Sequence, residues 1–360
     1  MVVGFACASR ELGSNIIYAK ALYAIKALFS CRLIVFGNDM TTALYSQASH
    51  IDTLLDIGLD VRRLDSSSKE NMSKQIALIN SFACDYLILS DAKSSFLRFG
   101  LATNAKRVLC ARKFVSLIAW RARSLPIYAS KTYKQMSFEN ILLHLVRLIN
   151  PKAFDAGIAR LDFSPARLFA PKSIQAQADK ILRYVYKKRF CQNRIAERLR
   201  DSRFIAINPF NVNNAYSLPQ HAWLELIEKV CKTHQVLVIT YPTVHREFMQ
   251  ALRDYKRQRG FESRNLIIFA NNKLPHLIAL ITRASLCISP STGTTHLALN
   301  LGIPSIGLYA QYDKVRWGHK DLHYITLEAP RDQLTKAQCQ DIIQATIALL
   351  EQCLREAKIP

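Results

Sequence analysis

The sequence predicts an α/β protein of two successive units, each a parallel sheet covered by helices on both faces. Over the first hundred residues short apolar runs alternate with amphipathic stretches, and the same rhythm starts again at Arg203. Size agrees: 360 residues, half of them hydrophobic, are long for one core and comfortable for two domains.

In order, Met1–Ala6 reads as a buried strand, Asn15–Phe29 as a helix, Arg32–Phe36 as a strand, Lys69–Phe82 as a helix and Tyr86–Leu89 as a strand. Helical patterns follow at Glu139–Ile149 and Ile174–Arg200. After Arg203, Phe204–Ile207 is a strand leading into the polar loop NPFNVNNAYSLP, and Pro219 opens a helix through Val230. Val236–Thr240, Leu266–Phe269, Leu286–Ile288 and Ser305–Leu308 are the next strands, separated by helices at Val244–Tyr255, Leu274–Thr282 and Thr294–Leu301. A last helix, Thr335–Glu356, is expected to return and brace the first domain. The boundaries expected are a first domain at 1–172, a linker helix at 173–202, a second domain at 203–334 and the bracing helix at 335–360.

No apolar run approaches the roughly 18 residues a membrane span needs; the best, Ile141–Ile149, is broken by His144 and Arg147. The start, MVVGFACASRE, has no basic residue ahead of its short apolar run, the reverse of a secretory signal, so the chain is expected to stay in the cytosol. Nine cysteines are scattered without a C-x-x-C pair and are expected to be free, with no bridge and no zinc. Charge is uneven: the net is +22, and residues 101–200 hold 21 basic against 5 acidic side chains. Such a focused field suits an anionic partner (lipid head groups, a nucleotide or nucleic acid) or marks a solvated basic face.

The sharpest signal is Ser289-Pro-Ser-Thr-Gly-Thr-Thr-His-Leu-Ala-Leu-Asn-Leu-Gly-Ile-Pro304. A buried strand ends, hydroxyl residues and Gly293 turn the chain, and a helix begins, so backbone N–H groups converge where the helix dipole is positive. That suits a diphosphate, with His296 in the first turn as a further donor; an ordinary capped helix start would look the same.

These residues resemble glycosyltransferase family 9, the heptosyltransferases of bacterial lipopolysaccharide. The family's Asp-Thr-Gly-x-x-His, Leu-Ala and Gly-x-Pro are here Ser291-Thr292-Gly293-Thr294-Thr295-His296-Leu297-Ala298 and Gly302-Ile303-Pro304. The resemblance implies a GT-B fold, two Rossmann-like domains facing across a cleft, although Rossmann-like halves of another enzyme would share the rhythm. It implies donor binding by Ser291, Thr292, Gly293, Thr294 and His296. The family's donor loop, in which a lysine precedes Trp-Pro, is here Tyr216-Ser217-Leu218-Pro219, leaving Asn211 and Asn214 as polar candidates, and TYPTVHREF is similar to its Gly-x-x-x-Glu turn, which offers Glu247. In the first domain the family's Leu-Gly-Asp is Leu12-Gly13-Ser14. A serine hydroxyl is not basic near neutral pH, so either Glu11, three residues before Ser14, takes the role of general base or the usual chemistry is lost.

The implied activity is inverting, metal-independent transfer of heptose from ADP-heptose to a lipid A-linked core acceptor, with no cofactor and no nucleic acid; a degenerate member that only binds sugar nucleotide or lipopolysaccharide is the alternative. The sequence has no Asp-x-Asp, P-loop, G-x-G-x-x-G or H-E-x-x-H, which disfavours metal, NAD and ATP-hydrolysing chemistry. Residues 101–172 are expected to face an anionic membrane, with Arg112, Lys113, Arg121 and Arg123 meeting phosphates, beside Phe114, Trp120 and the amphipathic Phe138–Ile149 stripe. For the aromatic and aliphatic side chains of this stretch, core packing is the other expectation.

Overall fold

The computed structural model describes residues 1–189, 204–262 and 264–356 and, for residues 184–189, the backbone alone. It divides into two units, Met1–Leu168 with Val315–Trp317, and Phe169–Lys314 with Gly318–Pro360.

The first unit runs β1 (Val2–Ala6), α1 (Leu12–Leu28), β2 (Arg32–Gly37), α2 (Asp39–Tyr45), β3 (Thr53–Asp56), α3 (Lys69–Asn80), β4 (Tyr86–Leu89), α4 (Ser94–Ala102), β5 (Arg107–Ala111), α5 (Phe114–Ile118) and β6 (Ala122–Leu125). Three helices follow, α6 (Lys131–Lys134), α7 (Phe138–Arg147) and α8 (Pro151–Gly157). All six strands are parallel, in the order β3-β2-β1-β4-β5-β6. Near-continuous apolar strands such as VVGFA and YLIL form its centre because helices cover both faces. α7 lays Ile141, Leu142, Leu145 and Val146 against α1, so the stripe expected at a membrane is buried. The physical reason is its periodicity: a stripe at helical spacing next to an apolar helix loses more water by packing there than by staying exposed.

In the second unit α9 (Lys172–Arg189) is followed, after residues that lie outside the described set, by β7 (Phe204–Ile207), α10 (Gln220–Cys231), β8 (Val236–Thr240), α11 (Pro242–Arg259), β9 (Leu266–Ala270) and α12 (Leu274–Ile281). β10 (Ala284–Pro290), α13 (Gly293–Asn300), β11 (Ser305–Ala310), α14 (Gln311–Trp317), β12 (Leu322–Leu327) and α15 (Lys336–Glu356) complete it. Its six parallel strands are ordered β12-β11-β10-β7-β8-β9.

Two expectations about helices are corrected. The start of the expected linker, α9, packs on α12 and ties Asp179 to Arg283 at 2.9 Å, so it belongs to the second unit, while residues 190–203 lie outside the described ones. α15, expected to brace the first domain, instead buries Cys339, Ile343, Leu350 and Cys353 in the second unit's core with Trp223 and Leu226 of α10. Those four sit on one helical face opposite the apolar face of α10, and burying both together removes the most apolar surface from water.

Candidate functional site

In each sheet the chain reverses the direction in which strands are added, and loops leaving two neighbouring strand ends diverge there. Such switch points are where ligands bind in open α/β sheets. In the second unit it lies between β7 and β10.

The buried residue after β7, Asn208, bridges the two strand ends. Its backbone N–H donates to Ile288 O at 2.9 Å, and its Nδ2 donates to Ser289 Oγ at 3.1 Å and Thr292 Oγ1 at 3.0 Å. The two hydroxyls are also bonded to each other at 2.9 Å. Thr292 is the N-cap of α13, yet its hydroxyl makes no capping bond, because it is engaged by this cluster. The N–H groups of Gly293 and Thr294, at the first two helical positions, therefore precede the intrahelical ladder at the positive end of the helix dipole. Thr295 is buried, and its Oγ1 donates to Pro290 O at 2.8 Å, fixing the turn from inside. The far end of α13 is a Schellman motif: Gly302 N donates to Leu299 O at 3.0 Å and Ile303 N to Ala298 O at 2.9 Å, with Gly302 left-handed at φ 76°. Pro304 then cannot extend the helix and leads into β11. The Gly-Ile-Pro spacing is thus the geometry of a short helix returned to the sheet.

His296 is buried, and burial with His319 nearby lowers its imidazole to about 4. It is neutral near pH 7, so the donor it offers is a neutral imidazole. His319 Nδ1 accepts from Asp321 N at 3.2 Å.

The other expected residues of this unit spread out. Asn211 is buried and donates to Tyr216 O at 3.3 Å, shaping the loop from within. Asn214 donates to the buried carboxylate of Asp313 at 2.8 Å, and burial raises Asp313 above the usual carboxylate range. Glu247 is exposed on α11, whereas His245 beside it meets Thr240 Oγ1 at 2.7 Å. Sequence reasoning missed Asn208, Asp313 and His319. Asn208 did carry a signal, as the first polar residue after an apolar strand; the other two gain meaning only from pairing in space.

In the first unit the switch point lies between β1 and β4, whose ends Ala6 and Leu89 are register partners. A cavity of about 270 Å³ opens there, lined by Glu11, Ser14 and Tyr18 from one loop and helix and by Ser90 and Asp91 from the other. Glu11 is the N-cap of α1, and Ser14 sits in that helix's first turn. The carboxylate of Glu11 is paired with Arg62. Asp91, which sequence reasoning missed, accepts from Lys93 N at 2.7 Å in a tight turn. Burial pushes the Tyr18 phenol above its ordinary value, and Ser90 is its hydrogen-bond partner. The loop is held rigidly: buried Asn15 donates to Ser9 O at 2.7 Å and Glu11 O at 2.9 Å, and Asn38 donates to Ser9 O at 3.0 Å.

Of the four cations assigned to phosphates, Arg112 and Arg123 are exposed, and Lys113 Nζ lies 4.5 Å from the Tyr128 ring centroid. Arg121 is a correction. Its guanidinium donates to the carbonyls of Leu101, Thr103 and Ala105 at 2.6–2.9 Å, holding the C-terminal end of α4 as a cation there should. A further correction concerns Phe114 and Trp120, which are exposed and not packed in the core.

Two doubly wound parallel sheets of this order define the GT-B fold of glycosyltransferases. The description "glycosyltransferase family 9 (heptosyltransferase)" matches residues 162–346, just over half of the chain, and the chain belongs to that family of enzymes. A family 9 glycosyltransferase from Veillonella parvula matches with TM-score 0.72 at 13% identity, covering 98% of this chain and 97% of its own. The Escherichia coli ADP-heptose lps heptosyltransferase II matches with TM-score 0.65 at 15% identity over 98% and 99%. The E. coli heptosyltransferase WaaC with ADP gives 0.67 at 14% over 98% and 100%. No curated protein matches the chain.

Proposed function

We propose that the protein is an inverting, metal-independent heptosyltransferase that moves heptose from ADP-heptose to a lipid A-linked core acceptor, at the inner face of the cytoplasmic membrane. The observation that carries this reading is the β7/β10 switch point, where Thr292, Gly293 and the start of α13 coincide with the family signature. The E. coli relatives named for ADP-heptose and for bound ADP support the donor. The second unit binds donor, and the first unit's cavity takes the acceptor hydroxyl.

Transfer needs two things from the chain. A carboxylate takes the proton of the acceptor hydroxyl as its oxygen attacks the anomeric carbon from the face opposite the diphosphate, and Glu11 and Asp91 both line the first cavity. As the bond from that carbon to the diphosphate oxygen breaks, negative charge grows on ADP. The N–H groups at the start of α13 meet that charge without moving.

A second reading, a sugar-nucleotide or lipopolysaccharide binding module, is favoured by one observation: Ser14 and Ser291 stand where the signature has aspartates. Calorimetry with ADP, ADP-heptose and UDP-sugars, followed by mass spectrometry of a lipid A-linked core acceptor, tests both. Binding with heptose added to the acceptor supports transfer, and binding without it supports the module. A preference for UDP-sugars overturns the donor, and no nucleotide binding overturns both readings.

A further inference from the structure

Between β5 and β6 the connection lacks a covering helix. α5 has five residues, and its one buried member is the small polar Ser116, whose Oγ donates to Lys113 O at 2.6 Å and accepts from Lys113 N at 2.9 Å. That exchange closes the turn and leaves Phe114, Leu117 and Ile118 outside, while Val115 packs against the first core. Phe114 is 77% exposed, Leu117 64%, Ile118 72% and Trp120 79%, four such residues within seven positions. Single exposed apolar residues are ordinary, but a cluster of this kind is a contact surface.

The surroundings say what it contacts. From Ala92 to Phe138 the chain holds ten Lys or Arg and no Asp or Glu. Arg112 and Lys113 lead into the cluster and Arg123 follows it. The Arg107 guanidinium stacks over the Trp120 ring at 5.3 Å, and the two line a shallow depression with Arg123, Lys106 and Asp85, the last pair being bonded to each other at 2.7 Å. Apolar side chains reaching outward inside a rim of cations, with an indole and a guanidinium stacked at the rim, match an anionic leaflet. Acyl chains accept the first, and phosphates at head-group depth meet the second.

We infer that Phe114–Trp120 is a wedge that inserts into a bilayer carrying anionic phospholipid, with Arg107, Arg112, Lys113 and Arg123 on the head groups. This deepens the membrane side of the proposed function and rests on it. Its test needs neither donor nor acceptor, so wedge and transferase can fail separately.

The full-length protein is sedimented with vesicles of phosphatidylcholine alone and of phosphatidylcholine with phosphatidylglycerol, at low and high salt. Binding is expected to the second mixture, weakening with salt. Joint Leu117→Ser and Ile118→Ser replacement is expected to weaken it about tenfold, by removing inserted apolar surface. Both side chains are exposed, so the fold is retained, as an unchanged circular dichroism melt verifies. Bromine on the acyl chains is expected to quench emission in wild type, and Trp120→Phe to remove most of that quenching. Binding that the serine pair leaves unchanged would make the surface purely electrostatic and overturn the wedge. So would the absence of binding, a self-association in vesicle-free solution that the serine pair abolishes, or a preference for single-stranded nucleic acid over vesicles.

Discussion

His296 shows how burial sets what one side chain can do. Its folded value of about 4 lies below the ordinary 6.5, so as pH falls the unfolded chain takes up this proton first. The contribution of neutral His296 to stability is complete above pH 6.5, declines between 6.5 and 4, and is level below that, a change of about 3 kcal/mol in all. We predict that His296→Asn flattens this part of the pH dependence in denaturant titrations; parallel curves for the two proteins would refute it. At pH 8 the ring donates or accepts only as a neutral group, so His296→Ala should weaken ADP by about 1 kcal/mol, roughly fivefold in calorimetry. Gly293→Val should do more, by placing a branched side chain where the diphosphate meets the backbone. Wild-type affinity in both would put the donor elsewhere. The carboxylates of the first cavity divide in the same way. Glu11 is engaged by Arg62, whereas Asp91 accepts from a backbone N–H, and loss of the working base should lower turnover at least about 10²-fold with donor affinity intact. Comparing Glu11→Gln with Asp91→Asn identifies which it is, and full activity in both would remove the cavity from the proton transfer.

At the scale of elements, α13 is where sequence and structure agree most closely, because each end has a local chemical cause. Gly302 ends it in the left-handed region, so Gly302→Ala should cost about 1 kcal/mol, read as a lower unfolding midpoint at unchanged slope in urea. The buried strands were legible for a similar reason: continuous apolar runs such as those of β7 and β8 have few other places to go. Strand order was not, since it is fixed by pairing between distant segments. Asp91 and Asn208 become site residues only once β4 lies beside β1 and β10 beside β7. The α5 and α7 segments show the limit of composition. Both set aromatic and aliphatic residues beside basic ones, but α7 has enough turns to form a stripe that α1 covers, while the five residues of α5 turn only Val115 and Ser116 inward. Hydropathy alone therefore does not say which of them is buried.

Across the whole molecule, chemistry and stability are parcelled by unit. The first sheet packs around Phe36, Phe96, Phe99 and Leu87, and the second around Trp223, Phe248, Leu286 and Ile343, each core with its own members. The wedge and its cations sit in the first unit, while the helix terminus suited to a diphosphate sits in the second. Nucleotide should then stabilise one core and leave the other alone. At a free ADP concentration about a hundredfold above its dissociation constant, binding adds about 2.7 kcal/mol to whatever opening destroys the site. We predict that ADP slows amide hydrogen exchange in β7, β10 and β11, by up to about a hundredfold where exchange needs the second sheet to open, and leaves β1, β2 and β4 at their free rates. Equal slowing in both sheets would mean that the units open together, and protection confined to β1 and β4 would put the nucleotide in the first unit. Trp223 offers an independent check, since its ring lies in the second core with Nε1–H on Ser217 Oγ at 2.9 Å, and its emission should follow the ADP-shifted transition in a denaturant titration.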